Sequence, residues 1–299
     1  MTLSHVLCPV DFSEASRPAL RAAAAIADYF GAALTVLTVD DPLLAEVAAL
    51  TDPPLSAESA RELRRFVTDT LTRSTAGGHD VELTVVVGKP AVEILRAAEA
   101  RHTSLVVMSS HGRSGARKMF FGSTAERVLR DTSVPVLVTP PDGPLDVTPA
   151  TVARQVHRII VPVDLSDASA PQVAAAARIG ATLQVPLLLA HVLEPVFVPY
   201  HIRVSMSGVD AARRERAEEQ MAAIAADLAA GVQVETLVLT GDAAEEITKL
   251  VASRQANLIV MGLHSAGLLG PRIGSVTYRV LSLSRAPVLA LPPAPPAGS

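Results

Sequence analysis

The sequence predicts an α/β protein built as two tandem copies of an open, five-stranded parallel sheet covered by helices. Three observations predict it. The chain has 299 residues, which suits two domains better than one. Hydrophobic residues make up 49% of it, aromatics only 3%, and tryptophan is absent, so its cores must be built from Ala, Val, Leu and Ile, the composition of helices on buried parallel strands. Finally, the segment HVLCPVDFSEAS at residues 5–16 returns as RIIVPVDLSDAS at residues 158–169.

The repeat extends across several elements. An offset of 153 carries Asp11 onto Asp164, Ser13 onto Ser166, Val39 onto Val192, Gly88 onto Gly241 and Met108 onto Met261. It drops to 152 for Gly122-Ser123 and Gly274-Ser275, so the loop before Gly274 is one residue shorter. The expected units are a first domain at 1–140, a linker rich in Pro and turn formers at 141–156, a second domain at 157–292 and a disordered tail at 293–299.

In the first copy, the β-branched apolar runs 5–10, 33–39, 81–87, 105–108 and 134–138 read as five strands. Helices alternate with them. Ser13 is placed to N-cap a helix whose Leu20, Ala23, Ala24 and Ala27 share one face. A second helix is expected over 57–75, Pro90 stands at a first-turn position of a third, and a fourth runs over 123–130. The second copy repeats this order. The closing segments, 134–138 and 287–291, are apolar yet end their domains, so each leaves an edge that the other is expected to cover, forming an intramolecular pseudo-dimer; a homodimer is the other way to cover it.

A formal net charge of −4 gives no basic surface for nucleic acid or anionic lipid. The one cysteine, Cys8, lies in an apolar run and predicts a small buried core residue in a reducing compartment. Residues 1–5 run straight into a strand pattern with no leader signature, and no stretch reaches the ~18 apolar residues of a membrane span. A cytoplasmic location, with neither nucleic acid nor membrane as partner, is the expectation.

Ligands of open parallel sheets bind beyond the carboxyl ends of the strands, where helix N-termini also point. Asp11, after Val10, ends the first strand, and Val39 ends the second. Met108 and Ser109 lead from the fourth strand into a loop in which Gly112 and Gly122 enclose nine residues. Gly122-Ser123-Thr124 then opens a helix, an arrangement whose amides and hydroxyls suit phosphate. Asp11 also has a simpler reading, as a helix-capping group. His111 and His264 occupy neighbouring positions in the two loops, but no His-x-x-x-His, Cys-x-x-Cys or carboxylate cluster accompanies them, so neither a metal nor a catalytic role is expected. There is no Gly-x-Ser-x-Gly elbow and no P-loop, so dedicated hydrolase and motor readings fall away.

In the order Gly, two residues, Gly, nine residues, Gly and Ser or Thr, the loop resembles the signature of the universal stress protein family, with Ser109 in place of the first glycine. VDFSEAS at residues 10–16, Gly88-Lys89-Pro90 and VPVLV at residues 134–138 resemble that family too, and the likeness covers nearly all of both copies. It implies a Rossmann-like, adenine-nucleotide-binding architecture and a stress-response regulator that binds ATP, with Mg2+ a potential companion ion and slow hydrolysis the most enzymatic activity to expect. It also implies roles for residues. Asp11 would bond the ribose or adenine, the main chain at Val39 would read the adenine edge with Val10, Met108 and Ser109 alongside, and Gly112, Gly122, Ser123 and Thr124 would cradle the phosphates. Arg113, Arg117 and Lys118 could add charge. In the second copy, Asp164, Val192, Gly262, Gly274 and Ser275 would form a weaker site, because Ser265 replaces the loop glycine and only eight residues separate it from Gly274. The competing reading is a nucleotide-free dimerisation scaffold of the same fold. An adenylating enzyme would need a Ser-Gly-Gly-x-Asp-Ser loop or a His-x-x-His pair, and has neither.

Overall fold

A computed structural model of the protein describes residues 3–43, 46, 55–71, 81–112, 121–142, 151, 155–196, 206–228, 231–263 and 273–293. Most of the expected linker, residues 294–299 of the tail and the end of the second helix at 72–75 lie outside the described residues. So do Arg113, Arg117, Lys118, His264 and Ser265.

The first half runs β1 (His5–Pro9), α1 (Ser16–Phe30), β2 (Ala33–Asp40), α2 (Leu55–Leu71), β3 (Val81–Val87), α3 (Pro90–Ala100), β4 (Leu105–Ser109), α4 (Ser123–Asp131) and β5 (Val136–Thr139). The second half repeats it as β6 (Ile159–Pro162), a 3-10 turn at Asp167–Ser169, α5 (Ala170–Leu183), β7 (Leu187–Leu193), α6 (Met206–Asp227), β8 (Val234–Thr240), α7 (Ala243–Ser253), β9 (Leu258–Gly262), α8 (Ser275–Leu283) and β10 (Val288–Leu291). Within each half every strand pairing is parallel.

The two halves share one ten-stranded sheet, in the order β3-β2-β1-β4-β5-β10-β9-β6-β7-β8. Its seam is antiparallel, with Val288 opposite Val138, Leu289 opposite Leu137 and Ala290 opposite Val136. Each closing strand covers the other's edge, which removes the hazard of an exposed apolar edge strand. The antiparallel seam also puts the carboxyl ends of the first half's strands and those of the second on opposite edges of the sheet.

Alternation along the strands splits the core into layers. Val6, Cys8, Leu34 and Val36 face α1 and α2, where Ala23, Leu63 and Phe66 meet them, and the same layer continues through Leu137 and Leu289 to Val173 of α5 and Met221 of α6. Leu7, Leu37, Val106 and Met108 face the other way, towards Ile94 of α3 and Leu129 of α4, in a layer that runs on to Ile247 and Val280. Small alanines on α1 let that helix sit close to the sheet: Ala19, Ala23 and Ala27 are at most 1% exposed.

One detail of the sequence reading needs correction. Ser13 does not cap α1 through its side chain. The N-cap residue is Ala15, without a side-chain cap bond, and the Ser13 carbonyl accepts the Ser16 N–H at 3.1 Å while its hydroxyl turns to Asp11. Pro90 does open α3, at the position where its missing N–H costs nothing.

Candidate functional site

In each half the chain steps outward from the first strand through the second to the third, then crosses to place the fourth on the first strand's other side. The crevice where strand order reverses, between β1 and β4 in the first half and β6 and β9 in the second, is where open α/β sheets receive ligands.

In the first half, β1 delivers Asp11 to that point. Val10 is still held to the sheet, its N–H donating to the Leu37 carbonyl at 2.8 Å. Asp11 is then fixed by three donors on Oδ1: the Ser13 amide at 3.1 Å, the Ser13 hydroxyl at 2.6 Å and the Ser16 hydroxyl at 2.7 Å. Phe12, between them, adopts a left-handed backbone at φ 62°, and Leu165 repeats it at φ 62° in the second half. For a side-chain-bearing residue this costs about 1–2 kcal/mol, so both copies hold the aspartate turn under strain beside the crevice.

β4 brings Met108 and Ser109, both buried, to the opposite lip. The Ser109 hydroxyl accepts the His111 N–H at 3.3 Å, and the Ser110 hydroxyl lies 2.9 Å from Nδ1 of His111. A Cβ on Gly112 would stand 2.6 Å from Oδ2 of Asp11, so the loop backbone lies against the carboxylate. The Gly122 N–H donates to the Ser110 carbonyl at 2.9 Å, which ties the loop's two ends together. That bond spends the Gly122 amide, leaving the N–H groups of Ser123 and Thr124 to head α4, where first-turn donors have no partner within the helix. Val39, one residue before the end of β2, is partly buried on the layer that contains Met108. The structure thus brings Val10, Asp11, Val39, Met108, Ser109, Gly112, Gly122, Ser123 and Thr124 to the one carboxyl edge. Arg113 lies outside the described residues.

The second crevice contains a cavity of about 330 Å³, lined by Asp164, Val192, Gly262, Gly274 and Ser275, all five of the residues expected there. Asp164 copies Asp11, with Oδ1 accepting from the Ser166 amide at 3.0 Å, the Ser166 hydroxyl at 2.7 Å and the Ser169 hydroxyl at 2.6 Å. Desolvation pushes its carboxyl upward, but the bonds from Ser169 and Ser166 outweigh it and hold the group below the ordinary carboxylate value.

Sequence reasoning missed Gln172. Its side chain, buried on α5, donates through Nε2 to the Pro162 carbonyl at 2.5 Å and accepts the Gly262 N–H on Oε1 at 2.5 Å. It therefore bridges the ends of β6 and β9 across the switch point. The residue 153 positions earlier is Ala19, which reaches nothing of the kind. The signal was present: a polar residue faces the core where its repeat partner is alanine.

Among the described residues no group of three or more His, Cys, Asp and Glu is placed to hold a metal ion. None of the described helices is long and apolar enough to cross a membrane.

Fold, repeat and crevice together define a tandem, doubly wound α/β protein with one switch-point crevice in each half. The universal stress protein family model matches residues 2–140 and again 155–292, and the chain belongs to that family. It is 28% identical over 144 residues to universal stress protein YxiE of Bacillus subtilis, covering 45% of this chain and 97% of that one. It is 28% identical over 151 residues to universal stress protein MJ0577 of Methanocaldococcus jannaschii, covering 44% of this chain and 92% of that one. Each relative therefore corresponds to one half. A universal stress protein from Archaeoglobus fulgidus superposes over 97% of this chain and 96% of its own with a TM-score of 0.66 at 23% identity, a likeness of fold across both halves.

Proposed function

We propose that this protein is an ATP-binding, stress-response regulator that holds nucleotide mainly in the first-half crevice, in the cytoplasm, where the lone thiol of Cys8 stays reduced. The observation that carries the proposal is the meeting of Asp11, the Gly112 backbone and the head of α4 at one switch point. Asp11 is preorganised through Oδ1, which accepts from Ser13 and Ser16, and an ionised carboxylate is an acceptor-only group with about four lone-pair sites. It would accept from a ribose hydroxyl. The amides and hydroxyls of Ser123 and Thr124 would meet phosphate oxygens, and the main chain at Val39 would face the adenine edge. The lack of a Cβ on Gly112 and Gly122 supports the fit, since both places would be crowded by a side chain. Bound ATP would supply charge to be met at this edge, and Mg2+, if carried, would come with its phosphates. Bound nucleotide would act by stabilising the conformation that binds it.

The second crevice is proposed as the weaker site. Asp164 and the 330 Å³ cavity support some binding there, while Gln172 occupies an amide and a carbonyl at the switch point that a ligand could otherwise use. The scaffold reading, with no nucleotide at all, is favoured for this half by the same glutamine. Mass spectrometry of the purified protein after denaturation tests the proposal: released ATP or AMP supports it, and protein that neither carries nor takes up nucleotide would refute it.

A further inference from the structure

A further cavity lies away from both crevices and shares no residue with the one in the second half. It has a volume of about 830 Å³ and sits over the seam, between α1 and α5, with Leu137 and Leu289 in its floor. The repeat builds it from matched pairs: Ile26 with Ile179 and Phe30 with Leu183 stand on its walls at the offset of 153. Apolar cavities at the meeting of two domains, within roughly 300–1,000 Å³, are the usual form of a small-molecule site.

Its symmetry is broken at one end. Arg285 and His157 line it there, where the repeat partners are Ser133 and Ser4. The two belong to the same edge: the His157 amide donates to Oδ1 of Asn257 at 2.8 Å, and two residues along the Ile259 amide donates to the Pro287 carbonyl at 3.0 Å. Among the described residues no carboxylate lines the cavity. Arg285 is exposed and makes no ion pair among the described residues. An apolar chamber with a guanidinium at one end complements a ligand with an apolar body and an anionic head.

We propose that this cavity binds a single-chain carboxylate amphiphile, a free fatty acid, with its chain over the Leu137–Leu289 seam and its head at Arg285. This site is independent of the nucleotide reading, since neither crevice contributes to it. A ligand here touches both halves at once and would couple their relative positions.

Titration calorimetry of the full chain with octanoate, decanoate and dodecanoate at monomeric concentrations tests the proposal. The expected result is one site per chain, with affinity rising up to about fourfold per methylene. Arg285→Ala should weaken dodecanoate by up to about fivefold and leave dodecanol unchanged. Ala22→Trp, which fills the cavity from α1, should abolish binding, and Ala252→Trp, at an exposed position of the α7 wall, does the same job should the first variant fail to fold. ATP titration of each variant should be unaltered. The proposal is overturned by the absence of saturable binding, by affinity that ignores chain length, or by binding that survives the filling substitutions. Chain dimerisation blocked by those substitutions, without fatty acid uptake, would overturn it in favour of a second copy of the chain.

Discussion

Oδ2 of Asp11 lies 2.6 Å from where a Cβ on Gly112 would stand, although three helices and three strands separate the two residues in the chain. The glycine is required by that approach and not by a left-handed backbone, since Gly112 is absent from the positive-φ residues of the structure. Gly122 likewise has an ordinary φ of −63°, and a Cβ there would meet the Ser110 carbonyl at 3.3 Å. Gly112→Ala should therefore displace Asp11 and weaken ATP binding, and Gly122→Val should weaken it by crowding the loop. Circular dichroism should report a folded chain in both, since neither backbone is strained. Unchanged ATP affinity in either folded variant would remove that glycine from the site.

Gln172→Ala should do two opposite things. The Pro162 carbonyl and Gly262 amide lose their partner, which costs about 1–3 kcal/mol for each group left unsatisfied. The second crevice gains room and an available amide, so nucleotide affinity at that half should rise. Chemical denaturation and ATP titration of the one variant read both; lower stability with no gain in binding would make Gln172 purely structural.

The seam should make the halves unfold together. Leu137 and Leu289 are paired across it and belong to a core layer that spans both halves. Calorimetry is expected to give one transition, and Leu137→Ala should destabilise the whole chain by about 2–5 kcal/mol. Two separated transitions, with only the first affected, would contradict a shared core.

His5 predicts a pH dependence. Its Nδ1 and Nε2 lie 2.9 Å from the hydroxyls of Thr103 and Thr35, and Thr35 donates onward to Oε2 of Glu82 at 2.9 Å, so Nε2 carries the proton of a neutral ring. Burial, then the charge of Arg101, lower its pKa against the opposing pull of Glu82. The folded state thus binds this proton less readily than the unfolded chain. The contribution is complete above the ordinary value of 6.5 and is lost as pH falls through the depressed one. Glu82 is held down to about 2, chiefly by its bonds from Arg101 and Thr35, so its own loss begins only below the ordinary glutamate value. Thermal melts between about pH 7.5 and pH 5 should fall in Tm, and His5→Gln should flatten the fall. An identical slope in the variant would show that His5 is not responsible.

The strands were legible because β-branched runs bounded by turn residues have few other ways to fold, and β3 begins and ends where that pattern does. The duplication made the seam legible as well: two apolar closing strands, each lacking a neighbour, need one another. The local cap was not, because Ser13 offers the same hydroxyl to a helix end or to Asp11, and only the strained turn at Phe12 decides between them. Nor was the reason for Gly112, which depends on a carboxylate about a hundred positions earlier in the chain. Gln172 looked like one more residue of a helix, and its role follows only from the two strand ends it joins.

The central claim is one strong ATP site per chain, built on Asp11, with Asp164 in a weaker copy. Titration calorimetry with ATP on the wild-type chain, Asp11→Ala and Asp164→Ala tests it most directly. A carboxylate hydrogen bond to ligand contributes about 1.5–3 kcal/mol, so the account predicts a stoichiometry near one, an affinity loss of about ten- to a hundredfold in Asp11→Ala, and little change in Asp164→Ala. Two equal sites, or a loss that follows only the Asp164 substitution, would contradict it.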